Sequence, residues 1–128
     1  MRRRKSASKM PSIFDEKVLL IDQDDALLAM KILAVVKNVQ KYKCGNIEIF
    51  DFKDSNDFVI NLTYQGRKYA VYVSKAATDE EIFDGLAKIA RKKPELVAAL
   101  RDMKCKVYDP VLKDRLASIV ASISMLTA

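Results

Sequence analysis

The sequence contains no histidine and no tryptophan, and only two cysteines, three glycines and three prolines in 128 residues. Without histidine, no serine or cysteine has an imidazole to activate it, so the usual hydrolase nucleophiles are excluded. Two cysteines outside any Cys-x-x-Cys spacing leave a structural zinc site without ligands. Gly45, Gly66 and Gly85 are isolated, and no glycine-rich cradle for a phosphate-bearing cofactor is formed. No apolar run reaches the roughly 18 residues of a membrane span. The N-terminus begins with positive charge, as a signal peptide does, but Val18–Ile21 runs straight into Asp22, Asp24 and Asp25 and no secretory apolar region follows. A cytoplasmic protein without a membrane segment is expected. There, Cys44 and Cys105 are expected as free buried thiols, with a single disulfide as the alternative.

Apolar residues make up 50% of the chain and charged residues 31%, a globular balance at a length that suits one domain. The formal charge is +6, from 23 Lys and Arg against 17 Asp and Glu. Five of those basic residues, Arg2, Arg3, Arg4, Lys5 and Lys9, precede any acid, so the remaining 18 face 17 acids and the body is nearly neutral. Basicity therefore belongs to an arm, residues 1–10, which lacks the apolar content to fold alone. Residues 11–128 form the domain.

The domain reads as α+β. Ser12 and Asp15 offer a helix start, and Val18–Ile21 fits a short helix or a strand. Asp22 caps a long helix of about residues 23–42, with Leu27, Leu28, Ile32, Leu33, Val35, Val36 and Val39 at helical spacing. Lys37, Lys41 and Lys43 suit its C-terminal end, and Gly45 stops it.

Strands follow at Ile47–Phe52, Phe58–Tyr64 and Arg67–Ser74. Gln65-Gly66 as a two-residue hairpin loop sets Phe58 opposite Val73, Ile60 opposite Val71 and Leu62 opposite Tyr69. These six share one apolar side, and a one-residue slip would scatter them. Phe50 and Phe52 join across the preceding turn, completing a three-stranded antiparallel meander. Thr78 with Glu81 forms a capping box for a helix of about 79–92, with Ile82, Phe83, Leu86 and Ile89 inward. Pro94 starts a second helix to Met103, and Asp109-Pro110 starts a last one. That last helix carries no side-chain charge from Ala117 onward. Ser118, Ser122 and Ser124 permit close approach of another helix, so packing on more than one side is expected.

Three resemblances bear on function. The run Val18-Leu19-Leu20-Ile21-Asp22-Gln23-Asp24-Asp25 resembles the first strand and acidic pocket of a response-regulator receiver domain. That fold needs parallel strands with helical crossovers, whereas the strands after Asp51 are hairpin-connected. The order helix, three strands, helix over residues 24–92 is similar to a double-stranded-RNA-binding domain. Such domains open the second helix with basic residues; here Thr78-Asp79-Glu80-Glu81 repels phosphate. Asp51 and Asp57 suggest the carboxylates of a metal-dependent nuclease, but no Glu-x-Lys element accompanies them and turn chemistry accounts for both. No catalytic residue, metal or cofactor is assigned.

Electrostatics and apolar surface remain. The arm residues Arg2, Arg3, Arg4, Lys5 and Lys9 suit phosphate neutralisation, and Arg91, Lys92 and Lys93 form a second basic cluster at a helix end. Tyr72, on the strand side opposite Tyr69, is the candidate for stacking on a base. The expected function is non-enzymatic binding of nucleic acid, DNA or RNA, by an accessory or architectural protein. The alternative is an assembly subunit of a nucleoprotein particle or virion, with the 110–128 helix contacting a second copy or a protein partner.

Overall fold

The structure, a computed structural model of the chain, describes residues 16–21, 38–101 and 103–127. Five strands form one antiparallel sheet: β1 (Val18–Ile21), β2 (Val39–Cys44), β3 (Ile47–Phe52), β4 (Asp57–Tyr64) and β5 (Arg67–Ser74), in the spatial order β1-β5-β4-β3-β2. Three helices follow among the described residues: α1 (Asp79–Lys92), α2 (Pro94–Arg101) and α3 (Pro110–Leu126).

The hairpin between β4 and β5 has the register read from the sequence, with Phe58 opposite Val73, Ile60 opposite Val71 and Leu62 opposite Tyr69. Its loop residues Gln65 and Gly66 both have positive φ, 53° and 77°. That is the pair of left-handed conformations a two-residue turn needs to match the strand twist.

The sheet has five strands where three are predicted. Val18–Ile21 is a strand, pairing with β5 as Val18 opposite Val73 through Ile21 opposite Ala70. The predicted helix over 23–42 is also corrected at its end. Residues 39–44 are β2, so Lys41 and Lys43 lie on an edge strand; residues 22–37 lie outside the described residues. In Val39-Gln40-Lys41-Tyr42-Lys43-Cys44 the β-favouring Tyr42 points into the core, and Gly45-Asn46 is a hairpin loop to β3, with Gly45 at φ 63°. The glycine that suggested a helix stop serves a turn instead.

Strand alternation places Ile49, Phe58, Ile60, Leu62, Val71 and Val73 on the face that meets the helices, where Ile82, Leu86, Leu96, Leu100, Leu112, Ile119 and Ile123 complete a continuous core. Burying each such aliphatic side chain stabilises by roughly 1.5–3 kcal/mol. Phe50 and Phe52 do not join this side. Phe50 pairs with Val59, and both belong to a second buried cluster on the other face with Ile21, Phe52, Ala70 and Tyr72. Among the described residues that cluster draws only on strands.

The helices begin where the caps were read. Thr78 accepts from the Glu81 amide while the Glu81 side chain accepts from the Thr78 amide. Asp109 accepts from the Leu112 amide ahead of Pro110. In α1 the buried residues are Ile82, Leu86 and Ile89, with Phe83 only half-buried. α2 ends at Arg101, short of Met103. On α3 one side is buried, whereas Val111 and Met125 on the other are 50% and 67% exposed. Packing on several sides is thus not met within the described residues. None of their helices is long and apolar enough to cross a membrane.

Candidate nucleic-acid interface

Edge strand β1 lies against α1 because Gly85 lets it. A Cβ built on Gly85 would overlap the Cβ of Val18 and come within 2.8 Å of its Cγ1. Beside this contact runs a cleft of about 320 Å³, walled by Val18, Leu19 and Leu20 on the strand and by Gly85, Lys88, Ile89, Arg91 and Lys92 on the helix. Lys88, Arg91 and Lys92 are exposed and follow the three- and four-residue spacing that sets side chains on one helix face. They sit in the last half of α1, where the helix dipole also favours cations.

The cleft's remaining wall residue is Glu16, which begins the described chain. The arm residues Arg2, Arg3, Arg4, Lys5 and Lys9 lie outside the described residues. The structure places Arg91 and Lys92 together in the wall of this cleft.

Lys93 is separated from this pair. It is the C-cap of α1, half-buried, with its amide bonded to the Ile89 carbonyl and its own carbonyl accepting from the Leu96 amide. Lys88 was missed in the sequence because a run of adjacent cations draws attention away from helical spacing.

Tyr72 is corrected outright: it is fully buried, and its hydroxyl donates to Asp57 Oδ1. A base cannot reach it. Tyr69 and Tyr72 do lie on opposite sides of β5, but Tyr72 sits in a buried cluster with Ile21, Phe50, Phe52, Val59 and Ala70.

Asp51 and Asp57, the carboxylates that suggested a nuclease, belong to a buried polar cluster at the end of the sheet. Both are fully buried and, by strand alternation, point to opposite faces. Asp51 meets Lys75 Nζ at 2.5 Å and Lys53 Nζ at 2.7 Å. Lys75 also donates to the Phe52 carbonyl at 2.9 Å, and Ser55 Oγ donates to Asp57 Oδ2 at 3.0 Å. Lys53 in turn stands 3.8 Å from Asp109, the cap of α3. Its hydrogen bond to Asp51 holds the Lys53 ammonium above the usual lysine value against the opposing effect of burial. The cluster ties the β3–β4 turn, the end of β5 and the start of α3 together. Among the described residues no group of three or more metal-ligating side chains converges.

The cysteines are also corrected. Cys44, the last residue of β2, and Cys105, between α2 and α3, are disulfide-bonded with their Cα atoms 5.4 Å apart. They lie 61 positions apart in the sequence, so no local pattern announces the pairing.

No protein family, curated protein or solved structure matches the chain.

Proposed function

We propose that this chain is a non-enzymatic nucleic-acid-binding accessory protein of the cytoplasm, gripping the phosphate backbone with the basic arm and the β1–α1 cleft together. The observation that carries this reading is the grouping of exposed Lys88, Arg91 and Lys92 on one side of the β1–α1 cleft. In sequence the arm's five cations precede Glu16, and with Lys88, Arg91 and Lys92 they supply up to eight positive charges for a phosphate backbone. The body as a whole is almost neutral, so affinity is concentrated at this corner. Phosphate contacts of this kind hold a backbone in place without selecting a sequence.

Binding to DNA and RNA as a function of salt tests the reading. Four arm contacts give a log-log slope of about −3 to −4 on duplex DNA. Deleting residues 1–10 is expected to remove most of that slope. In the full chain Lys88, Arg91 and Lys92 add about two to three units to that slope, which their replacement by Ala is expected to remove. Unchanged affinity and slope in both variants would overturn it.

A second reading, an assembly subunit, rests on α3. Beyond Ala117 its outer surface has no charge, and Ala117, Ala121, Ser124 and Met125 are exposed. Failure of the full chain to bind any nucleic acid at low salt, with concentration-dependent self-association abolished by Met125→Lys, would favour it.

A further inference from the structure

We infer that Cys44 and Cys105 form a thiol–disulfide exchange site for an anionic small-molecule thiol, with Cys105 as the sulfur that reacts first. The pair is not sealed in the core: both cysteines are half-buried. Each opens into its own cleft. Cys44 lines one of about 410 Å³ with Asn46, Thr63 and Lys104; Cys105 lines one of about 200 Å³ with Lys104 and Lys113. Lys104 is common to both. Exposed Lys43, Lys104 and Lys106 flank the cysteines in the chain, and neither cleft is lined by an acid among the described residues.

Lysines around a cysteine counter the negative charge of the sulfur that attacks in exchange. They also attract anionic reagents and repel cationic ones. Cys105 stands between Lys104 and Lys106 and shares its cleft with Lys113, whereas Cys44 has one lysine neighbour in sequence. Cys105 is therefore the attacking sulfur.

The closing reaction has two steps. The Cys105 thiolate attacks one sulfur of a small disulfide, forming a mixed disulfide and expelling one small thiolate. The Cys44 thiolate then attacks the Cys105 sulfur, forming the intramolecular bond and expelling the second small thiolate. Two electrons pass from the protein to the small disulfide. The two protons lost by the cysteines end on the two departing thiolates.

Closure ties the end of edge strand β2 to the segment between α2 and α3. That segment is also anchored by buried Met103 and Val107 and by the Asp109 pairing with Lys53, contacts made by other side chains than the disulfide. Exchange thus proceeds in the folded domain.

The test follows closure of the reduced full chain by mass and by thiol alkylation, with oxidised glutathione as the anionic reagent and cystamine as the cationic one. Rates are normalised to the same reagents acting on a small reference thiol. At low salt the anionic reagent is expected to close the pair about ten-fold faster than the cationic one. Lys104→Glu with Lys106→Glu is expected to reverse the preference. Cys44→Ser is expected to accumulate a mixed glutathione disulfide on Cys105, and Cys105→Ser to do so more slowly. Equal rates with the two reagents, a preference unmoved by the charge reversals, or closure no faster than global unfolding would overturn the inference.

Discussion

Lys75 reaches back across the end of the sheet to bind Asp51, Nζ to Oδ1 at 2.5 Å, with the carboxylate fully buried and the lysine side chain 10% exposed. The contact spans from the residue after β5 to the penultimate residue of β3, and it closes the turn between β3 and β4 from above.

A carboxylate taken out of water costs far more than its pairing returns if one partner is deleted. Lys75→Met is therefore expected to destabilise the fold by about 3 kcal/mol, because Asp51 keeps only the more exposed Lys53. Lys53→Met should cost less. Urea denaturation of both variants, and of Lys75→Met combined with Asp51→Asn, checks this; the double variant should recover part of the loss. Equal stability of Lys75→Met and the native chain would show the pair to be energetically idle.

The disulfide closes a loop that contains β3, β4, β5, α1 and α2. Constraining a chain loop of that length removes unfolded-state entropy worth about 4 kcal/mol. Reductant should lower the urea midpoint of the native chain by a corresponding amount. Cys105→Ser should match the reduced protein and respond to reductant no further.

Titration of Asp109 predicts an acid-sensitive start to α3. Its carboxyl is held below the ordinary value of 3.8, first by the hydrogen bond from the Leu112 amide and then by attraction to Lys53, against the opposing effect of partial burial. A group whose folded pKa is depressed contributes stability above its unfolded value and loses it as pH falls through the folded one. Asp109→Ala should cost about 1 kcal/mol at neutral pH, a typical cap loss. That difference should shrink below pH 3.8. Asp109→Asn, which keeps a capping oxygen but not the charge beside Lys53, should lose under about 1 kcal/mol, the scale of a partly exposed ion pair. A cost independent of pH for Asp109→Ala would contradict the assignment.

Gly85→Ala sets two effects against each other. Alanine favours a helix interior by about 1 kcal/mol. Yet the new methyl meets Val18 at its Cβ and Cγ1, and a β-carbon cannot rotate away as a side-chain tip can. Overpacking of about 1–3 kcal/mol should win, giving a net loss and a β1 strand prised from α1. Thermal denaturation reads the loss, and amide exchange at Leu19 and Leu20 reads the loosening. A stabilised variant would mean that β1 shifts freely.

Proximity in sequence separates what was legible from what was not. Gln65-Gly66 imposes the register of β4 on β5 because a two-residue turn allows only one pairing. Thr78 with Glu81 and Asp109 with Pro110 set the starts of α1 and α3, since a cap bonds to amides three residues away. By contrast, Val39–Cys44 satisfies helical and strand spacing alike, and its fate rests on hydrogen bonds to β3.

The sequence by itself determined the α+β class, the central hairpin, the caps of α1 and α3, and the confinement of excess positive charge to the N-terminal arm. Tertiary structure alone decided that Tyr72 is buried, that Asp51 is shared by Lys53 and Lys75, that Cys44 meets Cys105, and that Lys88, Arg91 and Lys92 line a cleft against β1. The physical reason is range. Turns and caps are bonds between near neighbours, legible in a few residues, whereas burial, ion pairing and sulfur contact depend on which distant strand or helix arrives alongside.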